Sequence, residues 1–339
     1  MLIRLKYSTI YTLIFCFLYA ILLASLNSEI FRDRNSYSGY YATISDFMLS
    51  KAYHVSLLKL FTEEPLFLIL NILLTKILSI SNNALPQIYV FFISFVFSFA
   101  TIKNSRNFTF AIICILMLFS VSVSWHAQLV VLRQSIATSI LLIFIIKKSS
   151  LNKLLFILFL CALIHNSFFI ILAFFILIKI FCEKHSLMRI VFISLLFSFI
   201  SCIGFYIIGK YLSIRQIDYV SMEINSSGAG FILWTSCLLI ILIKNKGIKS
   251  VSLIDTISIF GLIFYSFNYY FLPIGGRFLV TFIPFIFMSL TSNIYKKEHI
   301  PILLTFDVFF IGINLYKLNS NLINNSFNHG YQIINLLGL

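Results

Sequence analysis

Long apolar runs, repeated from one end of the chain to the other, constrain its fold more than any other feature. Each run is about 17 to 20 residues long, the length that an α-helix needs to cross the hydrocarbon core of a bilayer. Hydrocarbon offers a peptide backbone no hydrogen-bond partners, so only helices and closed barrels cross it. Alternating apolar and polar residues, typical of strands, do not stand out. We therefore predict an all-α polytopic membrane protein with about 10 to 12 transmembrane helices.

The composition agrees with this prediction. Of the 339 residues, 60% are apolar and 11% are charged, far more apolar surface than a soluble domain needs. The first run, about 8–26, follows Arg4 and Lys6 without an obvious cleavage site, which indicates a retained first helix rather than a secretory signal. No tandem repeat, inverted symmetry or linker is visible, so we interpret residues 1–339 as a single integral membrane domain.

The net charge of +14 is explained by topology rather than by nucleic-acid binding. Loops rich in Lys and Arg stay in the cytoplasm. The basic clusters between apolar runs are Arg4 and Lys6; Lys103 and Arg106; Lys147, Lys148 and Lys153; Lys179, Lys184 and Arg189; Lys244, Lys246 and Lys249; and Lys296 with Lys297. With these clusters inside, the amino terminus is cytoplasmic, and the loops of about 27–64 and 209–230 are outside.

One stretch breaks the alternation of inside and outside loops. The runs Pro65 to Ile80 and Pro86 to Ile102 would together return the chain to the wrong side of Lys103. One of them is therefore expected to be re-entrant or to lie along the interface. The shorter run, near 65–80, is the better candidate.

Three ionisable residues lie at membrane depth, where they are expensive unless they face a cavity or a partner. At 1.5 Å per helical residue, Arg133 is about 22 Å from the cytoplasmic Lys148, and His165 is about 18 Å from Lys153. Arg277 is about 28 Å from Lys296 by the same rise. In a core about 30 Å thick, all three point to one cavity on the outer face.

Each of these residues also has a structural interpretation. Arg133 could be a structural arginine that snorkels to the interface, and His165 could be a neutral histidine bonded to a neighbouring helix. Arg277 could be an interfacial anchor, and the charges of residues 32–34 could be solvated loop charges. If instead these arginines converge, they favour a lipid diphosphate or another polyanion, because arginine binds phosphate bidentately and keeps its charge.

No metal or cofactor is predicted. The cysteines show no paired spacing, and the sequence contains no DxD-type pattern, no HExxH and no GxSxG. Gly228-Ala229-Gly230 resembles a phosphate loop only superficially, because no GK[ST] follows it. Metal-dependent and serine-hydrolase mechanisms are therefore unsupported.

Four short motifs follow one another between about residues 30 and 180. They are Arg32, Asp33 and Tyr37 in the first outer loop; E-P-L-F-x-x-x-N from Glu64 to Asn71; R-Q-x-I-A from Arg133 to Ala137; and A-x-x-H-x-S from Ala162 to Ser167. Their order and spacing resemble the EpsG-like branch of the Wzy-type polysaccharide polymerases. The carboxy-terminal half matches only in being hydrophobic with an outward arginine, Arg277.

The resemblance implies an enzyme, a metal-independent glycosyltransferase that polymerises a bacterial surface polysaccharide such as O-antigen or capsule. Such a protein is a multi-pass protein of the cytoplasmic (inner) membrane. At the outer face of that membrane, it transfers a growing glycan from undecaprenyl diphosphate onto a lipid-linked repeat unit. The implied partners are this undecaprenyl-diphosphate-linked oligosaccharide, membrane lipid and, by family only, a chain-length regulator protein, with no nucleic acid.

The resemblance also suggests roles for the candidate residues. The diphosphates would be bound by Arg133 and Arg277, with Arg32 in support, because fixed arginines stabilise the charge on a leaving diphosphate without a metal. The acceptor hydroxyl needs a general base, for which His165 is the first candidate, with Asp33 and Glu64 as alternatives. The remaining candidates, Tyr37 and Tyr40, would stack on sugar rings.

Other functions remain as alternatives. A lipid-linked oligosaccharide flippase or other transporter would also need a basic cavity, although it would be expected to show repeat-related halves. Another glycan-lipid transferase, such as a ligase, fits the same substrate chemistry. A membrane acyltransferase could use His165 as its base, but a cytoplasmic acyl donor would favour residues reachable from that side.

Overall fold

The computed structural model describes residues 7–182, 186–212, 228–270, 275–292 and 298–337. These residues form sixteen α-helices and no β-strand, which confirms the all-α prediction. The first nine helices are α1 (Tyr7–Ala24), α2 (Ala42–Val55), α3 (Leu57–Thr62), α4 (Pro65–Ile72), α5 (Leu85–Asn104), α6 (Phe108–Ser120), α7 (Ser122–Leu129), α8 (Leu132–Ile146) and α9 (Leu151–Ile164). The others are α10 (Phe168–Phe181), α11 (Leu187–Leu212), α12 (Ala229–Asn245), α13 (Leu253–Asn268), α14 (Gly275–Thr291), α15 (His299–Tyr316) and α16 (Leu318–Asn325).

Helix lengths support a polytopic membrane protein. Within the described ranges, three helical segments are long and apolar enough to cross a bilayer: α5, residues 187–204 of α11, and α15. A fourth span results if α6 and α7, bent by 75° around Val121, are taken together. Eight further apolar helices have between 10 and 17 residues. The predicted number of crossings therefore depends on these shorter helices.

The segment near 65–80 is a short helix, and its re-entrant or interfacial position stays a prediction. Helix α4 continues as a π-helical turn to Ile77, giving a rod of about 20 Å against a hydrocarbon core of about 30 Å. Asn71 is buried in this rod, and its Oδ1 accepts a hydrogen bond of 2.6 Å from the Tyr89 hydroxyl. At its far end, Lys76 forms a 2.5 Å ion pair with Asp46.

The chain divides into two compact units, one of residues 1–172 with 311–339 and the other of residues 173–310. In the first unit, helix α5 packs against both α1 and α8, and α9 packs against α8. Helix α4 packs on α9, and α2 packs on α4. The first predicted outer loop thus contains the helices α2 and α3. The interpretation of the chain as a single domain stays a prediction.

The end of the chain is held against the start of the first predicted outer loop, within the first unit. The Arg32 N–H donates to the Ser326 carbonyl at 3.0 Å, and the Asn328 N–H donates to the Ile30 carbonyl at 2.8 Å. The rings of Phe31 and Phe327 pack edge to face beside these bonds. These contacts fix residues 30–32, which lie a few residues after the end of α1.

The second unit is built around α13 and α14, whose residues are almost all buried. A Cβ atom on Gly261 would lie 2.2 Å from Cγ of Phe282, so this crossing requires glycine. On the same helix as Gly261, Phe260 stacks on Phe174 with ring centroids 3.7 Å apart. Close packing of this kind is typical of helices that associate inside a membrane.

Lys244 differs from the expectation for a basic loop. It lies in the last turn of α12, and its side chain is buried between α13 and α14. Its Nζ donates to Oδ1 of Asp255 at 2.7 Å and to the Ser289 carbonyl at 2.6 Å. Ser252 caps α13 and donates to the other oxygen of Asp255 at 2.9 Å. This Lys244 cluster, defined by these four residues, joins three helices.

Several predicted features lie outside the described residues. They are the basic residues Arg4, Lys6, Lys184, Lys296 and Lys297, and residues 213–227 of the predicted loop 209–230.

Candidate functional site

The buried carboxylate of Glu64 lies where the ends of three helices of the first unit, α4, α8 and α9, meet. Its Oε2 forms a 2.5 Å ion pair with Nη1 of Arg133, and its Oε1 lies 2.6 Å from Nδ1 of His165. The backbone N–H of Asn166 donates to the same Oε1 at 3.2 Å. These partners are 69, 101 and 102 residues from Glu64 in the sequence. We call these four residues the Glu64 cluster.

Local backbone structure explains why these side chains are free to meet. Pro65 is the first residue of α4, a position where its missing N–H costs nothing, and Glu64 before it adopts a left-handed conformation with φ 57°. Arg133 is the second residue of α8, after a break at 130–131. His165 is the extended residue that ends α9. Each group therefore projects from a helix end, where side chains and backbone N–H groups are available for other bonds.

The unusual conformation of Glu64 is itself informative. A non-glycine residue at positive φ carries strain, and such strain persists only where the surroundings hold it in place. Here the carboxylate is held by an arginine, a histidine and a backbone N–H, while the Asn166 side chain donates to the Thr62 carbonyl at 2.7 Å. Strained backbone of this kind is concentrated at functional sites.

Aromatic side chains surround the guanidinium of Arg133. Its Cζ lies 4.9 Å from the ring centre of Tyr41 and 5.9 Å from that of Phe67, within the range of cation–π attraction. The Tyr37 hydroxyl is a further hydrogen-bond partner of Arg133. The guanidinium is thereby fixed in one orientation by residues from the first predicted outer loop and α4.

The electrostatics of the cluster keep Glu64 ionised. Burial by itself raises the pKa of Glu64, but the hydrogen bond from His165 and the charge of Arg133 outweigh burial and lower the pKa below its ordinary value. A carboxylate with a lowered pKa is a poor proton acceptor near neutral pH. Glu64 is thus better suited to orient His165 than to act as the general base itself.

The cluster can carry out proton transfer through His165. A carboxylate at Nδ1 favours the tautomer with the proton on that nitrogen, which leaves Nε2 with a lone pair that can accept a proton. The side chains of Arg133 and His165 keep 31% and 24% of their surface exposed, whereas Glu64 keeps 8%. A reactant can therefore reach the histidine and the arginine, while the carboxylate holds both from behind.

Two other predicted site residues, Asp33 and Arg32, make none of these bonds. Asp33 is exposed with φ 63°, outside the hydrogen bonds of the cluster. The guanidinium of Arg32 donates to the backbone carbonyls of Phe327 at 2.6 Å and Ile323 at 3.3 Å. Their predicted roles stay predictions.

Tyr37, Tyr40 and Arg277 complete the list of candidates. Tyr37 is buried next to Arg133, and Tyr40 is 51% exposed, so of the two only Tyr40 offers an open ring face. Arg277 is an exposed residue in the first turn of α14, in the second unit, and its place in the same cavity stays a prediction.

Sequence reasoning missed three residues of this region. Asn166, Tyr41 and Phe67 all contact the cluster, and all three lie inside or beside the motifs that the sequence analysis used. Their position inside or beside a motif was the only signal that the sequence offered. In a chain with 39 phenylalanines, a single aromatic residue does not indicate a site. A single asparagine does not either. In the described ranges, no group of three His, Cys, Asp or Glu side chains is arranged to hold a metal ion.

Comparison with known proteins links the chain to one family. The family model described as the EpsG family matches residues 9–336. No curated protein and no solved structure matches the chain.

Proposed function

Because the chain belongs to the EpsG family, we propose that it polymerises a bacterial surface polysaccharide such as O-antigen or capsule. Membership in this family suggests a glycan polymerase-type or related membrane function. In the proposed reaction, a growing glycan is transferred from undecaprenyl diphosphate onto a lipid-linked repeat unit. The reaction takes place at the outer face of the cytoplasmic membrane.

The 2.6 Å contact between Glu64 and His165 is the observation that carries this proposal. As the acceptor hydroxyl attacks the anomeric carbon of the donor glycan, its proton passes to Nε2 of His165. The new glycosidic bond forms while the bond from the anomeric carbon to the diphosphate oxygen breaks, and undecaprenyl diphosphate leaves with the electron pair. Glu64 stabilises the imidazolium that results, as the carboxylate of other acid–base pairs does.

The leaving group requires positive charge in a site with little water. Arg133 is a cation beside the proposed base, since both side chains bind the same carboxylate. Arg277 and Arg32 remain proposed supporting groups for the diphosphates. Because arginine provides this charge without a metal, we propose a metal-independent glycosyltransferase and expect chelators to leave its activity unchanged.

The rest of the proposal concerns partners and place. The substrate is an undecaprenyl-diphosphate-linked oligosaccharide, and the exposed ring of Tyr40 is a candidate surface for a sugar. We propose a location in the bacterial inner membrane with a cytoplasmic amino terminus. A chain-length regulator protein is a proposed partner.

The test is the length distribution of the surface glycan, seen as a ladder on a gel. Four strains are compared: wild type, a deletion of the gene, and two strains whose only copy encodes Arg133→Lys or the matched control Arg189→Lys. Arg189 is an exposed residue at the start of α11. We expect deletion to collapse the ladder to single repeat units. Arg133→Lys should collapse it too, because lysine keeps the charge but loses the planar fork.

Other results would contradict the proposal in distinguishable ways. A normal ladder in the deletion strain would exclude polymerisation by this protein. Lipid-linked units that accumulate inside the cell, with no single-unit product at the surface, would establish the flippase alternative. A normal ladder in Arg133→Lys, with the protein present in the membrane, would remove Arg133 from the site.

A further inference from the structure

Arg34 is the largest side chain that the first unit buries almost completely. Only 1% of it is exposed, and its Cζ lies 5.4 Å from the ring centre of Phe31. Its Nε donates a 2.7 Å hydrogen bond to the carbonyl of Leu129, the last residue of α7. This bond uses one of the five N–H donors of the guanidinium.

The terminal donors of Arg34 make no hydrogen bond to the described residues. Neither Nη1 nor Nη2 has a hydrogen-bond partner within the described part of the chain. A buried charge is costly unless it is paired and hydrogen-bonded, and native structures normally supply a partner for such groups. The two terminal nitrogens together form the planar fork that binds carboxylate or phosphate with two parallel hydrogen bonds.

The two neighbouring arginines differ from Arg34 in this respect. The charge of Arg133 is met by Glu64, and the guanidinium of Arg32 is bonded to two backbone carbonyls. The terminal nitrogens of Arg34 have neither kind of partner in the described part of the chain.

Arg34 is also next to the Glu64 cluster. Tyr37, one helical turn further along the chain, interacts with the charge of Arg34 and is hydrogen-bonded to Arg133. Leu129, which accepts the bond from Arg34, comes just before the break from which α8 and Arg133 begin. Arg34 and Arg133 therefore both interact with Tyr37, and Arg34 binds the α7 side of the break between α7 and α8 while Arg133 lies on its α8 side.

We propose that Arg34 is a phosphate-binding residue of this site, whose terminal nitrogens bind one phosphate group of a diphosphate. This inference rests on the proposed function and deepens it by naming the residue that binds the anion. Arg133, which shares the Glu64 carboxylate with His165, then supports the same anion. Because the terminal nitrogens are covered, neighbouring side chains, Phe31 among them, must shift before the anion reaches them.

The experiment measures the binding of radiolabelled inorganic pyrophosphate to the full-length protein purified in detergent. The variants are Arg34→Gln, Arg34→Lys and the matched control Arg189→Gln in the exposed first turn of α11. We expect at least about a tenfold loss of affinity in Arg34→Gln, the size of effect that one charge-assisted bidentate contact gives. Arg34→Lys should keep part of the affinity, and Arg189→Gln should equal the wild type.

A purely structural role for Arg34 predicts a different pattern. The midpoint of thermal unfolding without anion would fall in Arg34→Gln, while the folded protein would bind pyrophosphate as the wild type does. That pattern would overturn the inference. Wild-type affinity in Arg34→Lys would also overturn it if Arg34→Gln fails to fold, because the fork would then be unnecessary.

A second ligand distinguishes the source of the phosphate. If the site receives a lipid diphosphate, farnesyl diphosphate should bind more tightly than pyrophosphate and lose affinity equally in Arg34→Gln. If farnesyl diphosphate and pyrophosphate bind equally well, a free anion is the ligand, and the proposed lipid-linked source is wrong. The glycan ladder of the deletion strain tests the proposed function separately. A normal ladder with Arg34-dependent binding would refute the polymerase and leave the phosphate site standing.

Discussion

Two regions of this protein each bury a carboxylate against a cation, and they do so in different ways. In the Lys244 cluster, the side chains of Lys244 and Asp255 are 0% and 2% exposed, and serines of adjacent helix turns complete their hydrogen bonds. In the Glu64 cluster, the carboxylate is buried but Arg133 and His165 are partly open. Both clusters lie near helix ends, but the Lys244 cluster is covered by its neighbours, whereas Arg133 and His165 of the Glu64 cluster are not.

The difference separates a structural role from a chemical one. A sealed ion pair whose every group is bonded to the protein has no position left for a reactant. An ion pair at helix breaks, with strain at Glu64 and an imidazole that keeps one nitrogen available, has the features of an acid–base site. Burial of charge alone therefore does not identify a site. Between these two clusters, the difference lies in how far the partners of the carboxylate are exposed.

The largest effect is expected from His165→Gln. Loss of a general base lowers rates by about 10² to 10⁴-fold, so glycan polymerisation in membranes should fall by that factor. The thermal unfolding midpoint should change little, because glutamine can still donate to Glu64. The matched control is His54→Gln, an exposed histidine of α2. Equal activity in the two variants would mean that the Glu64 cluster is structural, like the Lys244 cluster.

The Lys244 cluster should respond in the opposite way. Asp255→Asn leaves the buried Lys244 without its carboxylate, and breaking such a pair costs about 3 to 5 kcal/mol of unfolding free energy. The double variant Lys244→Met/Asp255→Leu should recover most of that loss, since no unpaired charge remains. Denaturant unfolding in detergent measures both. A loss of polymerisation in the double variant, with stability recovered, would show that this cluster is functional too.

A smaller effect tests how tightly the second unit is sealed. Gly261→Ala places a methyl group against Phe282, and overpacking of this kind costs about 1 to 3 kcal/mol. The matched control is Gly204→Ala in α11, where an added Cβ meets no atom within 4 Å. We expect thermal unfolding to show a lower midpoint for Gly261→Ala alone. Equal midpoints would mean that α13 and α14 can shift apart to accommodate the added methyl group at little cost in stability.

The smallest effect is a pH dependence that belongs to the Glu64 cluster. Because folding lowers the pKa of Glu64, its ion pairs stabilise the folded state fully above the ordinary value of 4.5, and this contribution is lost as the pH falls through the folded pKa. Wild type should therefore be more stable than Glu64→Gln at neutral pH. The two midpoints should approach each other below pH 4.5. A gap that stays constant would show that Glu64 does not titrate as proposed.

Glu64, Arg133 and His165 are all candidates that the sequence singles out, but their arrangement around one carboxylate is not visible in it. Arg133 and His165 stood out because charge at membrane depth is rare. Glu64 was only an alternative base, although it is the residue that holds the others together. The sequence left open whether Arg34 is a solvated loop charge or one of several converging arginines, and it placed Lys244 in a basic loop; both side chains are buried. Burial of a single charged residue depends on what packs over it, which no local pattern contains.

Helix content and the polytopic class followed from the sequence alone, because an apolar segment in lipid must satisfy its own backbone and can do so only as a helix. The tertiary structure decided which helix ends meet. Glu64, Arg133 and His165 are separated by 69 and 101 residues, and their contact depends on how α4, α8 and α9 pack. Helix formation is governed by near neighbours in the chain. The site is governed by contacts between distant segments, which exist only once the helices have packed.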